Sequence, residues 1–194
     1  FGAFGTGVGA TDMASILISG KLWFRVPEVI KIEINGSPAE NTYAKDVILH
    51  ILGKVKADGA VYKAIEFCGD YVEKLGVSER MTICNMAVEM GAKTAYMKPN
   101  EAVLEYVRAR TDVEFEIFET DEDFEYDEHL VFDINGLKPQ LAAPHSVDNN
   151  IAVKDAEGVK IDQAFIGSCT GGRFEDIEAA WKVLTGKKYI PMLG

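Results

Sequence analysis

The sequence predicts an α/β fold on three observations. Short apolar stretches typical of strands alternate along the chain with longer stretches in which apolar residues recur at helical spacing. Gly or Asn follows several of these stretches, where a turn or a helix end needs it. The third observation is size, because 194 residues with 47% hydrophobic content are enough to bury a core. Strands and helices that alternate in this way form layered α/β domains.

The first half of the chain is predicted to contain three helices and two strands. Gly20 ends the first helix, and the strand before Asn35 alternates in polarity. Asn41 or Thr42 is the predicted cap of the second helix. The elements are a helix over 13–19, a strand over 29–34, a helix with apolar positions over 47–55, a strand over 60–67 and a helix over 79–90 behind Ser78.

The second half continues the alternation but contains two polar interruptions. One is an acidic stretch over 112–128, which we interpret as a solvated surface with an edge strand over 113–118. The other is an irregular stretch over 139–158. The remaining elements are a strand over 93–97, a helix over 101–110 capped by Asn100, a strand over 130–134, a strand over 163–166, a helix over 174–184 and a strand over 188–190.

Composition narrows the class of protein and its partners. A formal net charge of −11 argues against nucleic acid or an anionic membrane as the main partner. No apolar run is long enough to span a bilayer. Three unevenly spaced cysteines indicate a reducing compartment, and we expect a cytoplasmic protein. The chain lacks an initial Met, and both ends look cut, so we expect an internal piece of a longer protein.

Cys169 is the first candidate for chemistry. It is predicted to lie in the loop Gly-Ser-Cys-Thr-Gly-Gly-Arg, which connects the strand over 163–166 to the next helix. Ser168, Thr170 and Arg173, together with the helix start, offer groups that bind an anion or tune a thiolate. The residues alone leave two chemistries open, a nucleophilic thiol and a metal ligand.

Asn85 and Glu89 form a second candidate, because they are four positions apart on one predicted helix and therefore share a face. Glu89 is near the C-terminal end of that helix, where the macrodipole disfavours an anion. From spacing alone, it is more common for such a pair to have no function, with Glu89 a solvent-exposed acid and Asn85 an ordinary surface residue. His145 belongs to a predicted loop from which it could reach a site. The opening glycines match a dinucleotide fingerprint only formally, since no strand precedes them.

Several stretches together, in order, resemble one family. They are GAFGTGVGATDMASILISGKLWFRVPEVIKI, YAKDVILHILG, GAVYKAIEF, ERMTICNMAVEMGAKT, PHSVDN and KIDQAFIGSCTGGRFED. The set resembles the aconitase superfamily, most closely the large subunits of 3-isopropylmalate dehydratases and homoaconitases, over essentially the whole chain. The resemblance implies three-layer α/β/α domains: the end of a first domain over 1–22, a second over 23–142 and the start of a third over 143–194.

The resemblance also assigns roles to the candidate residues. It implies a 4Fe-4S cluster held by three cysteines, of which Cys169 matches the first, the other two lying in a C-x-x-C outside this chain. Asn85 matches a residue beside the cluster, and Glu89 one beside the substrate hydroxyl. Ser168, Thr170, Arg173 and His145 match the surroundings of substrate and cluster. Gly171 replaces the asparagine usual in that loop.

The implied activity is that of a hydro-lyase. It isomerises a small hydroxy-carboxylate by dehydration and rehydration, namely 2- and 3-isopropylmalate in leucine biosynthesis, together with a small swivel subunit. Homoaconitate and (R)-2-methylmalate are the alternative substrates. A binding domain that has lost the cluster is the rival from another class, and an enzyme with a nucleophilic cysteine is a third reading. With two cluster cysteines and the partner missing, we expect this piece alone to be inactive.

Overall fold

A computed structural model describes residues 2–187 of the chain. The chain divides into two compact units, one ending at Val159 and the other beginning at Lys160. The first unit contains the sheet and five helices, and the second contains one helix among the described residues. The domain limits derived from the resemblance, at 22/23 and 142/143, stay predictions.

A parallel four-stranded sheet forms the centre of the first unit and confirms the α/β class. Its strands lie in the order β3-β2-β1-β4, so β1 is paired on both sides. Ile32 of β1 is opposite Phe67 of β2 and Leu130 of β4. The strands are β1 Val29–Asn35, β2 Ala64–Cys68, β3 Thr94–Tyr96 and β4 Glu128–Asp133.

Four of the five helices of the first unit fall close to their predicted places, while α3 was not predicted. Gly76, not the predicted Ser78, is the N-cap of α4. Gly20 ends the first helix in the left-handed conformation, and Asn100 caps the fifth by accepting the Val103 N–H. The predicted caps of the second helix are wrong, because Tyr43 stands there and Asp46 accepts its N–H instead. The helices are α1 Ala10–Ser19, α2 Ala44–Val55, α3 Asp70–Glu73, α4 Val77–Met86 and α5 Glu101–Arg108.

The hydrophobic core lies between one face of the sheet and helices α2 and α4. Alternate residues of β1, Ile30, Ile32 and Ile34, are completely buried. β1, β2 and β3 follow one another across the sheet, and right-handed crossovers place both connecting helices on the same face. The residues of α2 and α4 that complete this core are Ala44, Val47, Ile48, Leu49, Ile51, Leu52, Ile83 and Met86.

The other face of the sheet is covered by the acidic stretch. The Tyr126 hydroxyl donates to Glu66 Oε2 over 2.9 Å, and the Thr120 hydroxyl donates to the same oxygen over 2.7 Å. Lys31 lies over the Tyr126 ring. The predicted edge strand over 113–118 is wrong, since none of these residues is in a strand.

The stretch over 139–158 is more regular than predicted. It contains an antiparallel hairpin of β5 Gln140–Ala142 and β6 Asn150–Ala152, followed by a 3₁₀ turn, Val153–Ala156. The Gln140 N–H donates to Asp46 Oδ1 of α2 over 2.7 Å. Short strands without alternating polarity gave little sign of this hairpin, which its contacts with α2 stabilise.

The second unit contains α6, Phe174–Leu184, with the predicted bounds. The predicted strand over 163–166 is wrong, because these residues pair with no strand within 160–187 and are exposed. The predicted strand over 188–190 lies outside the described residues. No residue over 160–187 is buried. Over residues 2–187, no helix has the length and apolar character that crossing a bilayer requires.

Candidate functional site

Helix α4 and the turn after it position Asn85 and Glu89. Arg80, Ile83 and Met86 face the core, which leaves Asn85 on the exposed side in the last turn of the helix. Glu89 is also exposed. Neither side chain makes a hydrogen bond or an ion pair within the part of the chain that the structure describes. Both polar groups are therefore available to a group from outside these residues.

Contrary to the prediction, Asn85 and Glu89 do not lie on one continuous helix. α4 ends at Met86, and Ala87–Met90 forms a 3₁₀ turn that Gly91 closes in the left-handed conformation. A 3₁₀ turn advances by about 120° per residue, against about 100° in an α-helix, so Glu89 is rotated away from the Asn85 row. The tighter turn keeps Ala87 and Met90 in the core while it exposes Val88 and Glu89.

Sequence reasoning overlooked Arg80. It is completely buried, and its guanidinium donates to backbone carbonyls on both sides of α4. The signal was present in the sequence, because Arg80 precedes Ile83 by three residues and thus falls on the apolar row of the helix. An arginine in that row indicates a buried charge with partners nearby.

His145 lies at the tip of the β5-β6 hairpin, as the predicted loop position implied. Its side chain is exposed and has no hydrogen-bond partner within residues 2–187. The loop is anchored beside it, because Asp148 accepts the Ala57 N–H over 3.3 Å and Asn149 donates to the Pro144 carbonyl over 3.0 Å. These contacts fix the loop to the end of α2 and leave the imidazole open to solvent.

Cys169 is at the tip of a turn in the second unit. The Gly171 N–H points to the Ser168 carbonyl, so Cys169 and Thr170 are the central residues of this turn. Ser168 adopts a positive φ of 74°, which turns the backbone sharply before the cysteine. Gly172 is packed so closely that an added Cβ would come within 2.8 Å of the Ser168 carbonyl. The turn presents the Cys169 thiol to solvent.

The start of α6 follows this turn but already has its own acidic partner. Arg173 is the N-cap residue, and its N–H donates to Asp176 Oδ2 over 2.9 Å. Glu175 adds a second acid in the first turn. These carboxylates complement the helix dipole. The predicted anion-binding role of the helix start is therefore partly taken by the chain itself.

The cysteines test whether the described residues fit an iron-sulfur cluster. Cys169 is exposed, whereas burial raises the pKa of the Cys68 and Cys84 thiols and disfavours their thiolates. Residues 2–187 contain no group of three or more Cys, His, Asp or Glu side chains arranged to hold a metal. The donor set thus offers one thiolate for a cluster, and the described residues do not by themselves form a complete site.

A cavity of about 330 Å³ lies elsewhere, under the acidic stretch, and includes Phe4, Ile65, Glu66, Tyr96 and Phe124 in its walls. It contains none of the predicted site residues. The exposed side chains of Asn85, Glu89 and His145 instead offer donors and acceptors that have no partner within residues 2–187.

The first unit is a parallel α/β structure that exposes Asn85 and Glu89, and the second unit exposes Cys169. Comparison with known proteins gives the family. Residues 1–158 match the aconitase family (aconitate hydratase). The chain belongs to this family.

Individual relatives confirm the assignment. The chain is 54% identical to a probable methanogen homoaconitase large subunit of Methanothermobacter thermautotrophicus, over 97% of this chain and 44% of the relative. It is 51% identical to the 3-isopropylmalate dehydratase large subunit 1 of Methanopyrus kandleri, over 96% of this chain and 45% of the relative. The subunit of that name from Archaeoglobus fulgidus is 48% identical, with 96% and 45% covered. The chain therefore spans about half the length of these relatives.

Proposed function

We propose that this chain is part of the large, catalytic subunit of a hydro-lyase that isomerises 2- and 3-isopropylmalate. The observation that carries the proposal is identity of about one half, over nearly the whole chain, to relatives named as large subunits of 3-isopropylmalate dehydratase or homoaconitase. The exposure of Asn85, Glu89 and Cys169 supports the proposal, since a side chain that binds substrate or a cluster must be accessible.

Glu89 is the proposed proton-transfer group at the substrate hydroxyl. It is exposed and has no partner among the described residues, so its carboxylate is free to give or accept a proton there. The Asn85 amide supplies donors and an acceptor beside the proposed cluster. His145, Ser168, Thr170 and Arg173 are proposed to surround the bound carboxylates.

Cys169 is the proposed ligand that this chain contributes to a 4Fe-4S cluster, the other two being supplied by the rest of the full-length protein. Such a cluster supplies a Lewis acid that makes water a better leaving group. The three free thiols fit a reducing cytoplasm as the place of assembly. The partner is proposed to be a small subunit, because the relatives are named large subunits.

The test uses the full-length protein with its small subunit, reconstituted anaerobically with iron and sulfide. We expect turnover of isopropylmalate, and a Cys169→Ser variant should lose most of its iron and sulfide. Absence of both cluster and turnover in the wild type, with no C-x-x-C in the remaining sequence, would favour the non-enzymatic binding domain instead.

Homoaconitate is the second candidate substrate, because the relative with 54% identity is named a probable homoaconitase subunit. (R)-2-methylmalate remains a third. Comparing kcat/KM for the three substrates with the same enzyme preparation decides among them, and we expect isopropylmalate to give the highest value. A higher value for either rival would replace the substrate but leave the hydro-lyase class intact.

A further inference from the structure

Arg80 is a buried cation whose partners are all backbone oxygens. Its Nε donates to the Leu75 carbonyl over 3.1 Å, Nη1 to Lys98 over 2.8 Å and Nη2 to Val72 over 2.8 Å. No carboxylate of residues 2–187 forms an ion pair with it. Burial lowers the pKa of Arg80, but an arginine keeps its charge in proteins.

The three carbonyls belong to segments on either side of α4. Val72 is in the last turn of α3 and Leu75 follows it, while Lys98 comes after β3 and leads to α5. Carbonyls at the end of a helix lack partners within that helix. The planar guanidinium of Arg80 donates to carbonyls at the end of α3 and just after β3. It therefore joins α4 to both segments.

Asn100 extends this connection. Its amide nitrogen donates to the carbonyls of Glu73 and Leu75, both over 3.1 Å, while its oxygen accepts the Val103 N–H over 3.2 Å. Leu75 therefore receives bonds from Arg80 and from Asn100. The start of α4, the end of α3 and the start of α5 are held by a single network.

We propose that Arg80 is a positioning residue for Asn85 and Glu89. A buried charge is a weak way to add stability, because an apolar side chain of similar size often stabilises as well or better. Three directed hydrogen bonds, in contrast, fix the rotation of α4 and its position along its axis. Asn85 lies five residues further on, about 7.5 Å along the helix, and the 3₁₀ turn with Glu89 continues from there.

The inference rests on the proposed function, and its effect should appear in the chemical step. Misplacing a reacting group by about 1 Å costs up to about 100-fold in rate. We expect Arg80→Lys, in the full-length enzyme with its small subunit, to lower kcat about 10- to 100-fold while KM changes less than about threefold. Arg80→Met should lower kcat further, because lysine keeps a charge and some donors whereas methionine keeps neither.

Ile83→Val provides the matched control, because Ile83 is as buried as Arg80 in α4 and its side chain forms no hydrogen bond. It should lower thermal stability while kcat stays within about twofold of the wild type. A kcat for Arg80→Lys and Arg80→Met equal to that of the control would overturn the proposal. Hydrogen exchange gives an independent readout, since residues 84–90 should exchange faster in Arg80→Lys than in Ile83→Val.

Asn100→Asp keeps the proposal testable if the Arg80 variants do not fold. It retains the cap acceptor for Val103 and loses the two amide donations. We expect a lower kcat at unchanged KM and faster exchange over 84–90, and wild-type values of both would contradict the proposal. A wild-type enzyme without hydro-lyase activity would defeat the proposed function, and the exchange comparison alone would then decide on Arg80.

Discussion

The Glu89 carboxylate lies just past the C-terminal end of α4, where free carbonyls disfavour a negative charge. Its exposure and its lack of a partner within residues 2–187 show that the chain does not use it for stability. Its exposure near the end of a helix was predictable from the sequence. Its orientation was not, because helical spacing could not show that the α-helix tightens into a 3₁₀ turn after Met86.

The three thiols should differ strongly in reactivity. Cys169 is exposed at a turn, whereas burial raises the pKa of Cys68 and Cys84. Since the thiolate is the reactive form, iodoacetamide at neutral pH should modify Cys169 at least about tenfold faster than the other two. Peptide mass spectrometry over time measures the order, with Cys169→Ser as the control that loses the fast phase. Equal rates at all three cysteines would contradict the assigned environments.

Asp70 should make stability depend on acid pH. The Gly36 N–H and then Lys74 hold the pKa of its carboxyl below the usual value of 3.8. A lowered folded-state pKa stabilises the protein above the unfolded-state value, and this contribution is lost as the pH falls through the folded-state pKa. Asp70→Asn should therefore reduce the urea midpoint at neutral pH and match the wild type at strongly acidic pH. A constant difference between the two proteins at all pH values would show that charge is not the cause.

At the scale of elements, strong periodicity predicted well and weak pairing did not. β1, α2 and α6 followed the sequence pattern because their apolar residues repeat at one clear period. The predicted strand over 113–118 alternates and the one over 163–166 is an apolar run, but no described strand pairs with either. The hairpin of β5 and β6 makes contacts with α2. Pairing and tertiary support are therefore what the local pattern lacked.

Strand β1 should contribute most strongly to the stability of the first unit. Ile32 is 0% exposed at the centre of the sheet, so Ile32→Ala should lower the free energy of unfolding by about 2–5 kcal/mol. Val131→Ala is the control on edge strand β4, because Val131 is 61% exposed and should cost no more than about 0.5 kcal/mol. Urea denaturation of both variants gives the comparison. Similar losses would contradict the position of the core.

At the scale of the whole molecule, the two units differ in how much they bury. The first unit has a core between sheet and helices. The second leaves apolar residues of α6 open, including Phe174 and Trp181. Family membership and the order of motifs were predictable from the sequence, because the motifs are spread over its whole length. What Asn85, Glu89 and Cys169 bind was not, since residue type and exposure do not specify a ligand.

The second unit should exchange its amide hydrogens quickly in the 194-residue chain. No side chain over 160–187 is buried, so local opening there costs little free energy. The amides of β1 should exchange far more slowly in the same sample. We expect the α6 amides to become protected in the full-length protein with the proposed small subunit. Protection of α6 equal to that of β1 in the short chain would contradict this.

The most direct test of the catalytic proposal is turnover of the proposed substrate, isopropylmalate, by Glu89→Gln in the full-length protein with the proposed small subunit. Loss of an acid-base group should lower kcat by at least about 100-fold, with little change in folding because Glu89 has no partner within residues 2–187. Glu105→Gln, at an exposed acid of α5, is the control and should keep wild-type activity. A kcat for Glu89→Gln within about threefold of that control would contradict the role of Glu89 in proton transfer.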